Sequence, residues 1–453
     1  MRQRSLSVSR CSWGFMVTLA ACGGSTATQP PPLVLSIAHP ASPVRAVAGD
    51  GATAAAGSAP ATEGAASIAP ASQAAFAEGL ELLAKNDRIG ALAAFRAAAT
   101  ASAHNALAQY NAAVLLAADG KFSEARERFE AALAIDGKLG PAAIGVATEL
   151  ERVGEVSGAE RLLRAHLGEQ PAVGARLAQL LARRGALDEA RAQAIAVLHV
   201  DERNAQAMLA LGMVYRRQNK FELSQLAIEQ ALAIDASLGE AYNELGLVLV
   251  VRGEKAQAVL AFERAAQASP YLAAIHNNLG VLRCEVGAFK AAVESLDQAT
   301  RLSPKRPEYY LNLGNALRGD QRYAEAEQAY KQALELGGGT SGALFNLGVL
   351  YLDNELPGQD VRTRLRASIG YLKDYAQKTK PSVEDQQRID DYIDTAQKGI
   401  DNEDKRLVRE RQRAEKDAEK KRLAEVERQE AERKAAAGSN AAAAPADDAG
   451  GAK

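Results

Sequence analysis

The chain has 453 residues, 47% of them apolar, 24% charged and only 5% aromatic. Alanine, the best helix former, is found throughout, and a core of alanine, leucine and few aromatics suits close helix-on-helix packing and suits a β-sandwich poorly. The formal net charge of −2 lacks the basic surplus of a generic nucleic-acid binder. Cys11, Cys22 and Cys284 form neither a metal spacing nor a disulfide framework.

The first segment reads as an address. Arg2, Arg4 and Arg10 come with no acid, and an apolar stretch from Trp13 to Ala21 follows, too short to span a bilayer as a stable helix. This is a signal-peptide pattern over residues 1–21. It ends in Leu19-Ala20-Ala21-Cys22, which resembles a bacterial lipobox. That resemblance implies cleavage before Cys22 and a lipid on its thiol; a conventional cut near Ala21 with Cys22 incidental is the alternative. Gly23, in place of an aspartate, implies the outer membrane of a Gram-negative cell, with the protein facing the periplasm. Residues 22–71 are rich in Ala, Ser, Gly, Thr and Pro, cannot bury a core, and are expected to be a flexible tether. Within it, Leu33 to Ile37 is a short apolar run that could add as a strand to a partner's sheet or simply be a sticky patch.

From residue 72 the sequence repeats. A Leu-Gly pair stands at 211–212, 245–246, 279–280, 313–314 and 347–348, each glycine 34 residues after the last. Leu245-Gly246 is followed by Gly253, Ala258, Phe262, Ala265 and Pro270. Leu279-Gly280 leads to Gly287, Phe289, Ala292, Leu296, Ala299 and Pro304, and Leu313-Gly314 to Tyr323, Ala326, Tyr330 and Ala333. The glycine sits in the first of two helices and lets the second approach closely. The small residue at 258 or 292 does the same from the other side, the large residue four further on fills the gap, and the proline ends the unit. Weaker copies begin at Gly79 with Ala91 and Phe95, at Gly120 with Ala125 and Phe129, and at Gly154 with Ala159 and Leu163. A copy with Gly185 and Ala190, between Pro171 and Asn204, is expected to be slightly short and has alanine where the aromatic belongs. The last, with Leu347-Gly348, carries an inserted loop at 356–360 before a second helix from Thr363 to Gln377. These motifs resemble the tetratricopeptide (TPR) family. The fold expected is all-α: a TPR superhelical solenoid of about nine helix-turn-helix repeats over residues 72–379, followed by a long charged helix.

The resemblance implies that the first helices line a concave groove that takes proteins or extended peptides. It also implies that the residue before each Leu-Gly pair faces that groove. Here that residue is Asn278, Asn312 and Asn346 in successive repeats, preceded by Glu244 and Ala210. Such a ladder of amides can both donate to and accept from a bound backbone; the alternative is that asparagine is simply common at this repeat position. Arg216, Arg217 and Arg318 lie on the same helices and suit an acidic or C-terminal carboxylate ligand, or are simply solvated.

From Val383 to about Ala436 no loop signal appears, and residues 405–434 are nearly all charge. Opposite charges stand four apart at Asp417/Lys421 and Glu430/Lys434, and in reverse order at Arg406/Glu410 and Arg411/Glu415. Residues 380–436 are therefore expected to be a helix that caps the stack to about Ile400 and then runs out as a solvated arm or pairs with a partner. Residues 437–453 are expected to be disordered.

No catalytic set is found. The five histidines, His39, His104, His166, His199 and His276, are scattered, and neither a G-x-S-x-G elbow nor a P-loop lysine is present. No enzyme activity, cofactor, metal, nucleic acid or small-molecule substrate is therefore expected. The combination of lipobox, tether and repeats resembles TPR outer-membrane lipoproteins of type IV pilus biogenesis and of the myxobacterial gliding-motility machinery. The function implied is a lipid-anchored scaffold for protein–protein interactions in a cell-envelope complex. The alternative is a periplasmic adaptor docking cell-wall hydrolases or synthases.

Overall fold

A computed structural model describes residues 68–168, 170–337 and 341–441. The signal peptide, Cys22, nearly all of the tether with its Leu33–Ile37 run, and residues 442–453 lie outside the described residues. One compact unit ends at Ala343 and a second begins at Leu344.

The first unit is a succession of helical hairpins: α1 (Pro70–Ala84) with α2 (Arg88–Ala101), α3 (Ala106–Ala118) with α4 (Phe122–Ile135), α5 (Gly140–Arg152) with α6 (Val156–Ala165), and α7 (Pro171–Arg184) with α8 (Leu187–Val200). It continues through α9 (Ala205–Arg217) with α10 (Phe221–Ile234), α11 (Gly239–Val251) with α12 (Lys255–Ala268), α13 (Ala273–Glu285) with α14 (Phe289–Leu302), and α15 (Pro307–Gly319) with α16 (Tyr323–Leu336). A ninth pair, α17 (Ser341–Asp353) and α18 (Val361–Thr379), precedes α19 (Val383–Ala441). The all-α repeat architecture expected from the sequence is what the described residues form.

Local chemistry sets the helix ends. Asn105 and Asn204 cap α3 and α9, each side-chain oxygen accepting from the backbone N–H three residues on at 3.0 and 2.9 Å. Pro70, Pro171 and Pro307 open α1, α7 and α15, where a missing N–H costs nothing. Inside each hairpin of the first unit the chain turns through a left-handed residue: Asn86, Gly120, Gly154, Gly185, Asn219, Gly253, Gly287 and Gln321. These positions are 34 apart except between Gly154 and Gly185, where the step is 31. The shortening was expected in the unit after Pro171, but it falls before it: α6 has 10 residues where the other second helices of this unit have 14.

Packing follows the motif. A Cβ built on Gly246 would lie 2.6 Å from the Phe262 ring, and one on Gly314 would lie 2.4 Å from the Tyr330 ring. The helices are therefore closer than any side chain at these glycines would allow. Opposite stand small residues with no exposure, Ala91, Ala125, Ala159, Ala190, Ala258, Ala292 and Ala326. Ser224 occupies the same register in α10 and gives its hydroxyl to the Gly212 carbonyl at 2.7 Å. One buried apolar cluster runs unbroken from Ala91 to Val248, as expected of repeats that cannot bury their apolar faces alone.

In the second unit, Ser368 repeats this bond to the Gly348 carbonyl at 2.7 Å, and Phe345 lies 5.3 Å from Tyr375 and 6.0 Å from Tyr392, ring to ring. α19 packs on α18 through Leu365, Ala396 and Ile400, and Arg362 meets Asp404 at 3.2 Å. Beyond this, as far as Lys434, the helix is largely exposed and carries Arg406–Glu410 and Arg411–Glu415 pairs at 2.6 and 3.1 Å. It continues to Ala441, past the end expected at 436.

Candidate protein-binding face

Within the first unit the two helices of each repeat are not equivalent. First helices of successive repeats approach one another closely, α3 with α5, α5 with α7, α7 with α9, α9 with α11 and α13 with α15. Second helices of successive repeats make no comparable approach. The first helices therefore occupy the shorter, inner arc of the curve, which is the face expected to hold a partner.

The asparagines are not on that face as open groups. Asn278 and Asn312 have no exposure and Asn346 only 4%. Asn278 donates its side-chain amide to Asn243 at 3.0 Å, Asn312 donates to Asn277 at 2.8 Å, and Asn277 lies 3.4 Å from the Asn278 oxygen. The expectation of a groove-facing ladder is corrected for Asn278 and Asn312. The position before Leu-Gly points into the seam between neighbouring first helices, where amides bond to one another. Asn243 and Asn277 were missed, although they too are 34 apart in the sequence.

Four arginines gather on α7 and α9. Arg176 and Arg183 both donate to the buried carboxylate of Glu151 on α5, Arg183 at 3.1 Å. Arg216 donates its Nε to Glu244 on α11 at 2.7 Å. Arg183 lies within electrostatic range of both Arg176 and Arg217, and Arg217 is flanked by Arg216 and Glu244. Glu240 joins the set beside Arg176. Spacing explains the assembly: residues 176 and 183 fall on one helix face two turns apart, and Arg216 and Arg217 end the next first helix.

Four guanidinium groups face three carboxylates here, so the cluster is not neutralised. Burial pushes the Arg176 guanidinium down to about 10, and burial followed by the adjacent Arg216 lowers Arg217. One buried nitrogen on each arginine, of Arg176, Arg183, Arg216 and Arg217, has no hydrogen-bond partner. Guanidinium nitrogens that are charged, buried and unpaired are expensive, and the Glu240 Oε1 beside Arg176 is buried without a partner as well.

The structure thus brings Arg216 and Arg217 together with Arg176 and Arg183, which sequence reasoning missed. It leaves Arg318 apart on α15, half-buried near the Tyr330 hydroxyl. His276 bonds through Nε2 to the Pro270 carbonyl at 2.8 Å, and its pKa is lowered by burial. Among the described residues, no group of three or more His, Cys, Asp and Glu side chains could hold a metal ion. No described helix is long and apolar enough to cross a membrane.

Comparison with curated proteins yields no significant match. Among solved structures, PilF of Pseudomonas aeruginosa is similar at 21% identity and a TM-score of 0.42, over 48% of this chain and 95% of that one. Two structures of MamA are each 25% identical, with TM-scores of 0.31 and 0.32, over 35% and 37% of this chain and 94% and 92% of theirs. The profile of the family described as "Tetratricopeptide repeat" matches residues 76–141, 175–238, 209–273 and 278–341, about half of the sequence. The chain belongs to the tetratricopeptide repeat family.

Proposed function

We propose that this chain is a non-enzymatic scaffold whose inner face at α7 and α9 holds an acidic, extended segment of a partner protein. The observation that carries the reading is the excess of positive charge on these two helices, four arginines against three carboxylates, with Arg217 only half-buried and outside any ion pair of the cluster. A partner carboxylate offsets this charge, and Arg217, partly exposed, is the guanidinium through which it docks. Arg217 is the informative residue because it forms no ion pair within the cluster, so its removal leaves no carboxylate stranded. A fluorescein-labelled peptide of alternating Asp and Ala should bind the full chain, and Arg217→Gln should weaken binding about tenfold, the equivalent of about 1.4 kcal/mol. Equal binding by wild type and variant would contradict the reading.

The setting we propose is a cell-envelope complex, of the pilus or gliding-motility kind, with the scaffold tied to the outer membrane through a lipid on Cys22. Support comes from Leu19-Ala20-Ala21-Cys22 followed by Gly23 and a Pro/Ala-rich stretch before the first repeat. Membrane fractionation of Cys22→Ala tests it. Release of the variant into the soluble fraction is expected, and unchanged membrane association would exclude lipidation at this residue.

A further inference from the structure

A second recessed site, which shares Glu151 with the arginine cluster, lies where distant repeats of the first unit meet. Arg88, at the start of α2, donates one guanidinium nitrogen to the Tyr271 hydroxyl at 2.8 Å and another to Asp119 at 3.3 Å. Its guanidinium carbon also stands 5.6 Å from the centre of the Tyr271 ring. These contacts join residues 183 positions apart, and beside them opens a cavity of about 1290 Å³. The hairpin turns at 117–122 and 151–154 form one side, and Tyr271 with the end of α14 and the loop after it, 298–306, forms the other.

The walls combine two chemistries. Val153 is 52% exposed and Tyr271 37% exposed, and with Phe122, Leu302 and Pro304 they offer apolar surface. The acids of the lining are already paired, Asp119 with Arg88 and Glu151 with Arg176 and Arg183. Two of its bases are paired as well, Arg152 with Glu149 and Arg301 with Asp297. Lys305 and Arg306 remain, with no ion-pair partner among the described residues. The open charge of the cavity is therefore positive and sits beside exposed apolar groups. Its volume exceeds the roughly 300–1,000 Å³ of ordinary small-molecule pockets.

We propose that this cavity is a second docking site, for a segment of a partner polypeptide that carries carboxylates next to aromatic or aliphatic side chains. The carboxylates meet Lys305 and Arg306, and the apolar side chains pack on Val153, Phe122 and Tyr271. Because its walls come from the second and third repeats on one side and the sixth to eighth on the other, the site exists only while the solenoid holds this curvature.

The test is a fluorescence-anisotropy titration of the full chain with a fluorescein-labelled nonapeptide of alternating Asp and Phe. The same peptide with Lys for Asp serves as the control. Lys305→Glu combined with Arg306→Glu reverses the charge at the start of α15, where acidic residues suit the helix dipole, so folding is retained; circular dichroism checks this. The double variant is expected to lose at least about tenfold in affinity, Val153→Asp to lose affinity as well, and both to bind the Asp/Ala peptide as the wild type does. Failure of the Asp/Phe peptide to bind, equal binding of the Lys/Phe peptide, or a loss seen with Arg217→Gln but not with the double variant would each overturn the proposal. The last outcome would assign the peptide to the arginine cluster instead.

Discussion

The side-chain amide of Asn312 donates to the side-chain oxygen of Asn277 across 2.8 Å, and neither residue has any exposed surface. The bond ties the first helix of one repeat to that of the next, so it acts on stability of the stack and not on a ligand. Asn312→Ala should lower the free energy of unfolding by about 1–3 kcal/mol, since Asn277 loses a buried partner. Urea unfolding measures this, and the affinity for the Asp/Ala peptide should stay as in the wild type.

The close approach of paired helices makes a contrast between two glycines. Gly314→Ala puts a methyl group 2.4 Å from the Tyr330 ring, which is fully buried and held by a hydrogen bond from its hydroxyl to Asn315 at 2.8 Å. A loss of about 1–3 kcal/mol is expected, larger than the gain in helix propensity. Gly158→Ala in α6 meets nothing closer than 3.8 Å and should stabilise by about 1 kcal/mol. Opposite signs in urea unfolding are the result to look for.

Gln321 turns the α15–α16 hairpin at φ 62, in the register where five other repeats have glycine. A left-handed conformation costs an ordinary residue about 1–2 kcal/mol. Gln321→Gly should therefore shift the urea midpoint upward, by about 0.5–1 kcal/mol once the greater freedom of glycine in the unfolded chain is deducted.

Burial and, to a lesser extent, Glu285 raise the Cys284 thiol from 9.0 to about 12. Between these values the unfolded chain gives up the proton and the folded chain keeps it, so stability falls as pH rises above about 9. Comparing urea midpoints from pH 8 to pH 11 for the wild type and Cys284→Ala isolates this contribution. The variant should show the shallower decline.

The fold was legible because it is carried by small residues at fixed spacing. The Leu-Gly pairs, the alanines facing them and the prolines between repeats each report a backbone approach that only small or rigid residues permit, and they keep register over hundreds of residues. The turn positions Asn86, Asn219 and Gln321 were less visible, since a non-glycine at positive φ leaves only its register as a sign. The asparagines were misplaced for a different reason. A polar residue recurring at 34-residue intervals marks either a face open to a ligand or a seam bonded to itself, and only the neighbouring Asn243 and Asn277 decide between them. The arginine cluster was half seen. Arg216 and Arg217 stand out beside a Leu-Gly pair, but Arg176 and Arg183 belong to a repeat that lacks one, after the shortened α6. Their gathering depends on how α5, α7, α9 and α11 stack, which spacing along the chain does not reveal.

The most direct test of the proposed partner-holding face is hydrogen–deuterium exchange of the full chain with and without the Asp/Ala peptide. Slower exchange in α7 and α9, with α13 and α15 unchanged, is the predicted result. Protection confined to α13 and α15, or none anywhere at a saturating peptide concentration, would contradict it.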